Sequence, residues 1–89
     1  MSPTFILAKQ KEAHDRGILN IWTVYDHPID FPNSYVARRF EVTAGKTVIT
    51  GDIVQSDALS IIRKSFRQCG MTCLTRADAD DPKILECWL

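Results

Sequence analysis

The sequence predicts an α+β domain of two layers, a mostly antiparallel sheet of four or five strands in the order β-β-(β)-α-β-β packed against one main helix, with a short helix at the N-terminus if that segment orders. Three observations carry this expectation. Residues 18–25 are dense in β-branched and aromatic side chains and show no helical polar stripe. Residues 56–69 contain neither Pro nor Gly and repeat apolar groups at Leu59, Ile62, Phe66 and Cys69. A length of 89 residues, with 45% hydrophobic and 25% charged side chains, gives room for one small globular unit and too little for a two-domain enzyme.

The elements follow in order. Residues 1–17 join an apolar stretch, Phe5-Ile6-Leu7-Ala8, to a polar one that ends at Gly17, which suits either a short helix closed by that glycine or a mobile tail. The single α+β domain is expected over residues 18–89. Its first strand, 18–25, places Leu19, Ile21, Thr23 and Tyr25 on one side and Ile18, Asn20, Trp22 and Val24 on the other. Apolar groups on both sides belong in the interior of a sheet or beneath a partner. Pro28 and Pro32 then make residues 26–34 a structured loop.

Residues 35–42 read as a second strand, with Val36, Phe40 and Val42 on one side, interrupted by Arg38. Tyr35, Ala37, Arg39 and Glu41 form the other side, which is expected to be wet. Ala44-Gly45-Lys46 offers a turn, and residues 47–50 return as a third strand before Gly51. In the helix, Ser56 is the natural N-cap, Asp57 favours the positive end of the dipole and Gly70 sits at C′. Asp52 with Gln55 forms an alternative capping pair one turn earlier. Ala58 and Ile61 widen the apolar stripe, and Arg63, Lys64, Arg67 and Gln68 lie opposite it. Residues 71–75 and 83–89 form a closing hairpin around a polar loop, and Trp88-Leu89 carries core residues to the end of the chain.

Charge and composition narrow the function. Eleven basic and eleven acidic groups cancel, so no long-range field draws in nucleic acid or an acidic membrane. No run reaches the roughly 18–20 apolar residues of a membrane span, and the opening residues lack the basic start and long apolar core of a secretion signal. The cytoplasm is the expected compartment. An odd set of cysteines, Cys69, Cys73 and Cys87, fits reduced and mostly buried thiols better than a disulfide framework.

The densest group of reactive side chains is the loop holding Asp26, His27 and Asp30. A carboxylate beside an imidazole is the raw material of acid/base chemistry, but no Ser or Cys lies near in sequence, and turn formation explains the aspartates more simply. Arg38, facing an apolar neighbourhood, is expected to pair with Asp26 or Asp30, and Arg39 points the opposite way. Asp26, His27, Asp30, Arg38 and Arg39 are the candidate binding residues. Arg63, Lys64 and Arg67, with Arg76 beyond, give a basic helix face that supports a nucleic-acid alternative, balanced by Asp78, Asp80, Asp81 and Glu86.

No metal or cofactor is expected. The cysteines with His27 lack zinc-site spacing, Asp78-Ala79-Asp80-Asp81 lacks the rest of a calcium loop, and the four glycines are isolated. One helix is too narrow to cover a sheet of this size, and the uncovered face is expected to expose Trp22, Tyr35 or Trp88 unless a homodimer, a partner protein or the N-terminal segment screens it. The leading expectation is therefore a small non-catalytic interaction module of bacterial or phage type. A nucleic-acid binder and a ligand or enzyme site at the Asp26-His27-Asp30 loop are the alternatives.

Overall fold

The computed structural model describes residues 3–75 and 82–89. Seven elements follow one another: α1 (Pro3–Asp15), β1 (Leu19–Asp26), β2 (Tyr35–Thr43), β3 (Lys46–Ser56), α2 (Leu59–Gln68), β4 (Cys73–Thr75) and β5 (Ile84–Trp88). The strands form one antiparallel sheet in the order β3-β2-β1-β5-β4, with α2 carrying the chain from one edge to the other. The expected α+β fold is the one observed.

Both helices end in the same way. At α1 the Gly17 amide donates to His14 and the Ile18 amide to Ala13; at α2 the Gly70 amide donates to Arg67 and the Met71 amide to Phe66. Gly17 and Gly70 have φ of 70° and 72°, the left-handed geometry that this double closure requires. The start of α2 differs from the expected one. Ser56 ends β3, and its hydroxyl accepts the Ala58 amide; Ala58 is the extended residue before the helix and supplies no side-chain cap. Strand pairing with Tyr35 holds Ser56 in the sheet, so capping at that position gives way to the ladder.

The third strand is longer than residues 47–50, because β3 runs on through Gly51 with a bulge opposite Arg38 and Phe40. It is joined to β2 by the two-residue turn Ala44-Gly45, where φ is 37° and 82°. Positive φ at both positions matches the right-handed twist of the flanking strands. The closing hairpin forms as expected, and mutual hydrogen bonds between Thr72 and Leu89 extend it to the last residue. The polar loop at 76–81 lies outside the described residues.

Both helices lie on the same side of the sheet. Ile6 of α1 and Ile62 and Phe66 of α2 pack onto Trp22, Val24, Ala37, Val54 and Trp88. This overturns two expectations. Trp22 and Trp88 are 0% and 2% exposed, sealed within one protomer, and Tyr35 is half-buried at the rim of the same side. The side of β2 that bears Ala37 and Arg39 is dry: Arg39 is 5% exposed. Ala37 faces Val24 across β1 and gives the helices room to approach, and Arg39 is tolerated because acids surround it. Ile61, expected to widen the buried stripe of α2, is exposed.

Candidate functional site

With both helices on one side, the other side of the sheet has no covering helix among the described residues, although Val36 and Thr23 on it are 0% and 7% exposed. Register places Ile21, Phe40 and Ile49 in one row across β1, β2 and β3, with Thr23, Tyr25, Val42 and Ile53 around them. From β5 and β4 come Cys87 and Leu74. Among the described strand residues, Arg38 is the one charged side chain on this face. Ile21, Tyr25 and Phe40 are half-buried, while Ile49 is 62% exposed. A shallow groove of about 300 Å³ runs along β1 between Ile21, Tyr25, Phe40, Thr47 and Ile84. Thr23, a small residue among larger ones, and Cys87 also line it; the Thr23 hydroxyl lies 3.6 Å from the Cys87 sulfur.

The loop at 27–34 closes one end of this face. Arg38 pairs with Asp30, one of the two partners expected for it, and its guanidinium lies 5.5 Å from the Tyr25 ring centroid and 6.0 Å from that of Phe31. The hydrogen bond from Arg38 holds the Asp30 carboxyl below its usual range. Asp26 and His27 lie elsewhere. Asp26 is the register partner of Tyr35 on the helix side, and the His27 Nδ1 hydrogen-bonds to its carboxylate. The His27 ring meets Tyr35 edge-on at 4.7 Å, its backbone adopts φ of 47°, and Lys83 Nζ donates to its carbonyl. Arg39 occupies a third place, beneath the helices. Its Nε and Nη2 donate to Asp52, and its Nη1 to Glu41 and Asn20. The five candidate binding residues are thus spread over two sides of the sheet and share no cleft.

The basic helix face is also rearranged. Arg63 makes a two-pronged contact with Glu86, at 3.1 Å from Nε and 2.7 Å from Nη2, and Arg67 lies 5.8 Å from the Trp88 ring centroid. Lys64 is exposed. The acids expected to balance this face, Asp78, Asp80 and Asp81, lie outside the described residues, as does Arg76. The thiols are less hidden than expected: Cys73 is exposed, and Cys69 and Cys87 are half-buried. Burial pushes the Cys69 thiol up; burial and the Glu86 carboxylate do the same at Cys73. Neither has the lowered pKa of a reactive cysteine.

Glu86 is itself buried and accepts a further hydrogen bond from the Trp88 indole at 2.7 Å. Burial pushes its carboxyl up, but the hydrogen bonds from Arg63 and Trp88 pull harder, so it ionises below the usual glutamate range. A depressed folded pKa gives stability that is present above the unfolded value of about 4.3 and is lost as pH falls through the folded value. Glu86→Gln is expected to cost about 1–3 kcal/mol at neutral pH and much less at about pH 3. Urea denaturation of both chains at the two pH values reads the difference, and a gap that does not narrow in acid contradicts the assignment.

Comparison with family models, with curated proteins and with solved structures finds no match to this chain. No helix among the described residues is long and apolar enough to cross a membrane. The apolar residues of the open face, Ile21, Phe40, Ile49 and Ile84, were not singled out from the sequence as a surface. Their alternation was visible, but alternation does not say which side the helices choose.

Proposed function

We propose that this chain is a non-catalytic interaction module whose working surface is the open face of the sheet. The observation that supports this is the row Ile21, Phe40 and Ile49 beside an apolar groove, on a face whose one charge among the described strand residues, Arg38, already has its counter-ion in Asp30. A monomer seldom leaves a contiguous apolar patch of this kind to water, because burying it against another surface is worth about 25 cal/mol per Å². Its three free thiols suit the reducing cytoplasm as the place of work.

Neither alternative uses this surface. The Arg63 and Arg67 side chains are engaged with β5, which weakens a phosphate-binding reading, and Asp26, His27 and Asp30 do not meet around one cleft with an arginine. Hydroxyl-radical footprinting of the chain in extract from its own cells tests the proposal. Ile49 and Tyr25 are expected to be labelled several-fold less than in the dilute purified chain, with Ile61, exposed on α2 on the opposite side, unchanged. Equal labelling of Ile49 and Ile61 in the two samples contradicts it.

A further inference from the structure

We infer that the occupant of the open face is a second copy of this chain, packed face to face about a two-fold axis that lies between the two sheets and runs along β2 at Phe40. The inference rests on the docking reading above and names its partner. Three observations on the face point to it.

The first is electrical. The chain carries no net formal charge, and among the described strand residues the face carries one cation, already neutralised by its own Asp30. An acidic or basic partner finds no complementary field there, whereas a like copy meets no like-charge penalty. The second is size. Strands spaced by about 4.8 Å and rising about 3.4 Å per residue give β1, β2 and β3, the strands that overlap about an axis along β2, a face of about 450 Å². Two copies then bury about 900 Å² in total, the size of a weak, concentration-dependent interface.

The third is shape. Ile21, Phe40 and Ile49 are direct register partners on adjacent strands, so Phe40 sits midway between the recessed Ile21 on β1, which lines the groove, and the protruding Ile49 on β3. Rotation about an axis along β2 exchanges the positions of β1 and β3. Each Ile49 then enters the other copy's groove beside Ile21, and the two Phe40 rings meet at the axis. A projection and a recess at equal distances from one line are what an isologous contact needs. Aligned packing of two sheets about 10 Å apart accommodates this arrangement.

Because Phe40 meets itself, its replacement by a charge can be repaired only by an opposite charge in the other copy. Sedimentation velocity of the purified chain over a range of concentration is expected to show a dimer. Phe40→Asp and Phe40→Lys are each expected to weaken it about 100-fold or more, with near-ultraviolet circular dichroism unchanged because Phe40 lies on the side away from the core. An equimolar mixture of the two variants is expected to recover a heterodimer. If either variant misfolds, Ile49→Asp, at a position already 62% exposed, is the second weakening variant.

A purified chain that stays monomeric at every concentration overturns the second copy, and protection of Ile49 in extract then assigns the face to a different protein. A dimer that tolerates charge at both Phe40 and Ile49, or variants that do not recombine on mixing, also overturns the inference. If Ile49 is unprotected in extract as well, the docking reading falls with it.

Discussion

Arg39→Ala is expected to lower the melting temperature by about 15–25 °C, equivalent to about 3–5 kcal/mol for removing one partner of a buried ion pair in a domain of this size. Arg39 is the centre of a relay under the helices. Its guanidinium donates to Asp52 at 2.6 and 2.9 Å, to Glu41 at 2.8 Å and to the Asn20 side-chain oxygen at 2.9 Å. Asn20 in turn donates to the Lys9 carbonyl and to Gln10, which ties α1 to β1, β2 and β3 through one chain of contacts. Burial works against the charge on Arg39, yet Glu41 and Asp52 more than restore it and hold its pKa above the ordinary arginine value.

Without the guanidinium, Glu41 is left with Arg16 at 3.4 Å and Asp52 with Lys9 at 3.6 Å, both weaker contacts, and the Asn20 side-chain oxygen, in a residue 2% exposed, loses its donor. Small domains sit at the low end of the usual stability of about 5–15 kcal/mol, so the variant should be close to unfolding at room temperature. Thermal and urea denaturation measure the loss. The double variant Arg39→Ala with Asp52→Ala is expected to lose less than the two single losses combined, as coupled partners do. A loss below about 1 kcal/mol would show the cluster to be solvated, as exposed pairs are.

Trp22→Ala should cost a similar amount, about 3–5 kcal/mol, through the cavity it leaves. Trp22 is 0% exposed and packs between Phe5 of α1 and Phe66 of α2, with ring centroids 6.3 and 5.7 Å away. Its indole N–H donates to Gln10 at 2.9 Å, the oxygen that also accepts from Asn20. Removing the ring therefore opens a void between both helices and the sheet and frees the contact that docks α1. Amide exchange along α1 is expected to accelerate before exchange in β1 and β2. Trp22→Phe, which keeps most of the bulk and loses the donor, is expected to cost about 1–2 kcal/mol. Equal losses for the Ala and Phe variants would mean that the hydrogen bond, and not the packing, holds the helix.

The strand and helix signals were legible because local chemistry and final structure agree there. Residues 18–25 are apolar on both sides, and β1 is the central strand, flanked by β2 and β5. Gly17 and Gly70 end helices because both need left-handed backbone, which glycine adopts without strain. Spacing across a hairpin also gave Arg38 an aspartate partner, Asp26 or Asp30, and the structure pairs it with Asp30. The choice of face did not. Tyr35, Ala37, Arg39 and Glu41 look wetter than Val36, Phe40 and Val42, so a ranking by polarity inverts the two sides of β2.

Partners distant in sequence decide the matter. Asp52 and Asn20 neutralise Arg39 from other strands, and Trp22, Trp88 and Phe66 need the same side to pack together. Residues 3–15 were hard to read for a related reason. Only Ile6 and Ala13 of α1 are buried, and its docking depends on Gln10 and the Lys9 carbonyl, polar groups that leave no hydrophobic period in the sequence. The open face was hidden in turn, since its residues become a candidate surface only when α1 is seen to join α2 on the opposite side.

Isoleucine methyl groups sample every environment on which this account depends, and their exposure to a paramagnetic cosolute, read by nuclear magnetic resonance, tests it most directly. In dilute solution Ile6 and Ile62 are expected to be shielded and Ile29, Ile49 and Ile61 open to the cosolute. Raising the concentration should shield Ile49 and Ile21 and leave Ile61 as it was. Broadening of Ile6 or Ile62 in the dilute sample, or shielding that falls on Ile61 instead of Ile49, would contradict a sheet sealed on one side and docking through the other.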